Sequence, residues 1–295
     1  MTQPRVEVLD TPVCELGEGP VWSAPDRTLY WIEIRAGLLH RWSLDSGLGV
    51  TVTLPATPGC LALGSPGELL VGLATGLWRL RIADGSLEPV VDPEADRVGG
   101  RFNDGAPDPA GRFWIGSIES AGGARDGSLY LVERDGSWQK RREGLAVPNG
   151  IDFSPDGRTM YFTVTEDQRI LAFDYDLASG ATSNERVFAT DTDCWPDGLC
   201  VDADGFVWSA KWNGGRITRY APDGSIDREI AMPVANATSL AFGGEDLDVL
   251  FVTTAVDEAG ALASTDADAA GRLCLVHDPG ARGRELPAAL PRPTA

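Results

Sequence analysis

One pattern recurs six times along this 295-residue chain and limits its possible folds more than any other feature. Short β-rich runs (TLYWIEI, ELLVGLA, GRFWIGSI, TMYFTV, FVWSAKW and VLFVTTAV) each follow a turn cluster. Those clusters are SAPDR, SPGE, DPAGR, SPDGR, DADG and FGGED, where proline pre-sets φ and glycine accepts positive φ. A second strand and a second turn come next, as in GLWRLRIADG, GSLYLVERDG and RITRYAPDG. Helical stripes are almost absent. Each unit is thus a small antiparallel sheet with two apolar faces, which cannot stand alone in water. Stacking six of them around an axis buries both faces, and closing the ring hides most strand edges. The expected fold is all-β: a six-bladed β-propeller forming a single domain over residues 1–295. The strand-like stretch VEVLD precedes the first unit and is expected to complete the last blade, so latching the ring. A β-sandwich does not account for six registered repeats, and a doubly wound fold needs crossover helices that the pattern lacks.

Charge narrows the function. Twenty-five Lys and Arg against 44 Asp and Glu give a net charge of −19, a field that repels phosphate backbones and anionic lipid. Nucleic acid and membrane are therefore not expected partners. No apolar run approaches a membrane span and the N-terminus lacks a signal-peptide core, so a cytoplasmic location is expected. Five cysteines without C-x-x-C spacing imply neither a disulfide framework nor a thiolate zinc site, and buried reduced thiols are expected. His40 and His277 read as ordinary strand residues.

Aligning the units on their turns exposes a ring of polar residues. Asn103, Asn149 and Asp197 each stand eight positions before a turn glycine, and the same frame gives Glu18, Gly59 and Thr238 in the other units. The position lies just before the strand expected nearest the axis, so residues more than 40 apart in sequence should converge at one channel mouth. Carboxylates gathered there repel each other and lose hydration, which calls for a cation or for raised pKa values. A divalent ion held by the oxygens of Glu18, Asn149 and Asp197 meets that demand. Taken singly, Asn149-Gly150 and Pro196-Asp197-Gly198 are also good turn sequences, and Glu18 could be a solvated loop charge. The shared register favours the metal site.

Several segments carry a family likeness: LGEGPVW (16–22), RFNDGAPDPAGRFWIGS (101–117), PNGIDFSPDGRTMYF (148–162), AFDYDLASG (172–180), PDGLCVDADGFVWSAKWNGGRITRYAPDG (196–224) and AFGG (241–244). In this order they resemble the regucalcin/gluconolactonase (senescence-marker-protein-like) family, which includes sugar lactonases. The likeness implies a six-bladed propeller with one catalytic dication bound by a Glu, an Asn and an Asp that match Glu18, Asn149 and Asp197. It implies hydrolysis of an aldonic-acid lactone, with Arg101 and Asn103 contacting the substrate and Glu119 near a further acidic position. Val164-Thr165 stands where many members have Asp-Thr or Asp-Ser, and residues from about 256 onward fit the pattern poorly.

The chemistry expected of such a site is metal-assisted. One dication (Ca²⁺, Zn²⁺, Mn²⁺, Mg²⁺ or Fe²⁺) polarises the carbonyl and acidifies a bound water, the expected nucleophile. Asp197 is the candidate proton acceptor, Arg101 orients the lactone, and Trp195 and Trp212 could wall the mouth. No G-x-S-x-G, H-E-x-x-H or Walker sequence offers another route. Two alternatives stay open: a propeller hydrolase acting on phosphotriesters or other esters, and a non-catalytic interaction or Ca²⁺-binding propeller.

Overall fold

Alternating apolar residues and closely spaced turns organise the chain into six four-stranded antiparallel sheets, the first with its outer strand split. The computed structural model describes residues 3–119, 125–256 and 263–290. The strands nearest the axis are Gly17–Ser23, Pro58–Leu63, Gly100–Pro107, Pro148–Phe153, Trp195–Val201 and Ala237–Gly243. Blades 1 to 6 are numbered in that order. The architecture is a six-bladed β-propeller, as the repeats require. Helical structure among the described residues is a single 3₁₀ turn, Thr165–Asp167.

The core is not central. Six apolar clusters occupy the six wedges between neighbouring blades. Trp114 and Leu131 of blade 3, for example, pack against Phe153 and Phe162 of blade 4. Trp22 and Trp31 of blade 1 meet Phe251 and Leu275 of blade 6 across the closure. Every blade therefore depends on two neighbours for burial, which is why a single unit has no independent stability.

The latch forms as expected. Arg5–Val8 runs antiparallel to Cys274–His277, with Arg5 opposite His277 and Val8 opposite Cys274. The His277 Nε2 to Glu7 Oε2 contact at 2.8 Å spans the seam. Although residues beyond 256 depart from the repeat, the sixth blade is complete, because Cys274–His277 supplies its third strand. Beyond it, the chain crosses the far mouth of the channel, where Arg284, Leu286 and Pro287 help enclose an axial chamber of about 90 Å³.

All five cysteines are free, and only Cys200 is not fully buried. His40 stacks on Trp31 inside blade 1. No helix among the described residues is long and apolar enough to cross a membrane.

One irregularity repeats in all six blades. Each innermost strand slips its register against the second strand, at Glu18/Val21, Pro58/Cys60, Phe102/Gly105, Pro148/Ile151, Pro196/Leu199 and Ala237/Ser239. Such bulges free a residue from strict alternation and re-aim its side chain. Each falls at or beside the ring position read from the sequence.

Candidate active site

Glu18, Asn103, Asn149 and Asp197, at the bulges, and Arg101, which pairs in register with Ile118, line one cavity of about 630 Å³ at the channel mouth. Trp195 and Trp212 contribute to its wall, together with Ile34, Ile118 and Val147. Glu18, Asn103, Asn149 and Asp197 are all buried. An apolar-walled hollow with a few convergent polar groups is the usual form of a small-molecule site.

Two ring positions do not join the cluster. Gly59 leaves no vacancy, because a Cβ there would lie 1.9 Å from the Phe102 carbonyl oxygen. The backbone of blade 3 fills the space that a side chain would need. Thr238 turns aside and donates to Gly17 O at 2.6 Å, tying blade 6 to blade 1. Glu119 ends its strand opposite Gly100, and the cavity wall in that blade is Ile118. Successive strand residues face opposite ways, and Glu119, expected from the sequence to contact substrate, is not among the residues that line the cavity.

Hydrogen bonds link three blades through the site. Arg101 Nη1 donates to Asn103 Oδ1 at 2.7 Å and to Phe102 O at 3.0 Å. Asn103 Nδ2 donates to Pro148 O at 2.8 Å and to Asn149 Oδ1 at 3.1 Å. Asn149 Nδ2 donates to Thr165 Oγ1 at 3.0 Å, and Thr165 Oγ1 donates to Pro196 O at 2.9 Å. Val147, just before this segment, adopts φ +52°. A β-branched residue is strained there, by about 1–3 kcal/mol, and such strain concentrates at functional sites.

The electrostatics are unusual for a packed interior. Burial, and then repulsion from Asp197 and Asp104, holds the Glu18 carboxyl well above the usual range. Burial and Asp104 act on Asp197 in the same direction. Asp104 reaches the axis from the same bulge as Asn103, and burial pushes it up to about 6. Arg101, lowered by burial to about 10, remains a cation at neutral pH. Three carboxyl groups against one guanidinium leave the fully ionised cluster two negative charges in excess.

This donor set suits a dication. Asp197 Oδ1 is buried without a hydrogen-bond partner, a costly state that a cation would relieve. Among the described residues no three His, Cys, Asp or Glu side chains cluster as a metal cage. Here two carboxylates combine with neutral carboxamide oxygens, a mixture that favours hard or borderline ions. Thr165 and the rim residue Arg35 line the cavity and Asp104 lines the axial chamber beneath it, and the repeat register singled out none of the three. Asp104 was detectable only as the neighbour of Asn103, and Thr165 and Arg35 carry no register signal.

Residues 16–256 match the SMP-30/Gluconolactonase/LRE-like region. The chain belongs to that family. It is 36% identical over 286 residues to a pentonolactonase of Haloferax volcanii, covering 94% of this chain and 95% of that protein. It is 38% identical over 242 residues to a 6-deoxy-6-sulfogluconolactonase of Pseudomonas putida, covering 81% and 83%. Among solved structures, a calcium-binding protein, regucalcin, from Agrobacterium tumefaciens superposes with a TM-score of 0.88 at 32% identity, over 95% of this chain and 96% of that one. Membership in the family accords with the six-bladed fold.

Proposed function

We propose that this protein is a metal-dependent hydrolase that opens the ring ester of a sugar (aldono-) lactone to the aldonic acid. The observation that carries this is the unpartnered, buried Asp197 Oδ1 beside Glu18 in a cavity large enough for a monosaccharide. The lactonase names of its relatives support the substrate class.

Glu18, Asn149 and Asp197 would hold the ion through oxygen. When bound, a dication supplies Lewis acidity towards a carbonyl oxygen and lowers the pKa of water. Asp197 presents an oxygen with free lone pairs and is the base that takes the proton from the attacking water. Arg101 is fixed through Nη1 to Asn103 and Phe102, and its remaining N–H groups orient the lactone oxygens and favour negative charge developing there. Asn103 lines the same wall and sets the position of Arg101. The aromatic and aliphatic walls exclude bulk water, which strengthens each of these contacts. Attack at the carbonyl carbon breaks the ring C–O bond, leaving a carboxylate and a hydroxyl on one open chain.

The test is a panel of aldonolactones assayed after chelation and re-addition of Ca²⁺, Mg²⁺, Mn²⁺, Zn²⁺ or Fe²⁺. Hydrolysis should need one of these ions. Glu18→Gln and Asp197→Asn should each lower kcat/KM by about 100-fold or more. Failure to open any lactone with any ion would overturn the proposal.

A further inference from the structure

The hydrogen bonds of the cavity form one chain anchored at both ends by proline carbonyls, which can only accept. Thr165 Oγ1 commits its single proton to Pro196 O, so it must accept from Asn149 Nδ2. At the other end, Asn103 Nδ2 spends its two protons on Pro148 O and Asn149 Oδ1. Turning the Asn149 carboxamide over would set its oxygen against a hydroxyl oxygen with no proton to give. Its amino group would then face the amino group of Asn103.

We propose that Thr165 is a positioning residue whose hydroxyl fixes the Asn149 carboxamide so that it offers oxygen, not an amino group, to a dication in the cavity. The inference rests on the metal-binding reading under Proposed function. Asn149 Oδ1 has two lone pairs and gives one to Asn103, which leaves one for an ion. An amino group at that place would turn its protons towards a positive charge. The backbone of Thr165 is held separately, because its N–H donates to Val147 O at 3.1 Å. Replacing the hydroxyl therefore removes the orienting bond and leaves the turn tied.

The experiment is calorimetric titration of Ca²⁺ and of Zn²⁺, each alone, into the chelator-stripped full chain. Thr165→Val should weaken binding about tenfold or more, the scale set by partners that orient metal ligands. Thr165→Ser should bind within about threefold of the parent. A carboxylate has two equivalent oxygens and no orientation to fix, so in an Asn149→Asp background Thr165→Val should change affinity by less than about twofold. Unchanged affinity in Thr165→Val, or the same loss in both backgrounds, would overturn the inference. Melting curves in EDTA establish folding, and Thr165→Ala carries the same comparison should the valine variant not fold. If the parent binds neither ion, the metal reading falls and takes this inference with it. Binding by the parent with an indifferent Thr165→Val sinks only the latter.

Discussion

At the scale of single residues, the site stores unfavourable charge that an ion would release. The Asp104 carboxyl has its pKa raised to about 6 by burial, and Glu18 and Asp197 are raised well above the usual range by burial first and then by neighbouring carboxylates, Asp197 and Asp104 for Glu18 and Asp104 for Asp197. A carboxyl raised in the folded state keeps its proton where the unfolded chain has already lost it. Its stabilising contribution is full below the unfolded value, near 4, and is lost as pH rises through the folded value. The cation-free protein should therefore lose stability between about pH 4 and pH 7, with Asp104 alone accounting for about 2 kcal/mol. A saturating dication should flatten that slope, because it favours the ionised forms. Calorimetric melting at pH 5 and pH 7.5, with EDTA and with added Ca²⁺ or Zn²⁺, measures the difference. Equal slopes in both series would mean that no ion enters this cluster.

At the scale of strands and turns, the sequence was legible wherever proline and glycine marked boundaries. The six units and their turns could be placed from SPDGR-like clusters and β-rich runs, whereas the ring residues, expected just before the inner strands, fall inside them, at the bulges. The bulges could not, because a register slip is a property of two paired strands and neither sequence states it alone. Gly59 shows the cost of that gap: the register placed it in the ring, but the approach of blade 3 backbone explains its lack of a side chain. Glu119, expected near the substrate, is not among the residues lining the cavity, whose wall there is Ile118, because one step along a strand reverses the face. The turn aspartates proved more than turn formers. Asp202 is fully buried, accepts from Arg219 at 2.6 Å and 2.9 Å, and accepts from Trp208 Nε1 at 3.0 Å. Asp202→Ala would leave a guanidinium and an indole N–H without this partner, so chemical denaturation should show a loss of about 3 kcal/mol. A change below about 0.5 kcal/mol would show that solvent or Asp227 replaces it.

At the scale of the whole molecule, the two ends of the channel have separate tasks. One mouth gathers the polar residues, and the other is braced by residues 278–290. The bracing segment bonds Leu247 of blade 6 through Gly283 N at 2.7 Å and Ala203 of blade 5 through Arg282 O at 2.9 Å. It pairs Arg284 with Asp152 of blade 4, then reaches Leu63 of blade 2 through Ala289 N at 2.7 Å and Gly111 of blade 3 through Leu290 N at 2.8 Å. One segment thus ties five blades from below. The early residues of the inner strands line the site, and later residues of the same strands line the lower chamber. Stopping the chain after residue 278 removes the brace and exposes the lower chamber without touching Glu18, Asn149 or Asp197. Urea unfolding should report a loss of about 3 kcal/mol, from several backbone bonds and the buried Ala289 and Leu290. Affinity for the dication should stay within about threefold, because local stability can differ greatly between parts of one fold. If metal affinity instead collapsed with the brace, the two mouths would be coupled, and the site geometry would belong to the closed ring as a whole and not to its upper bulges.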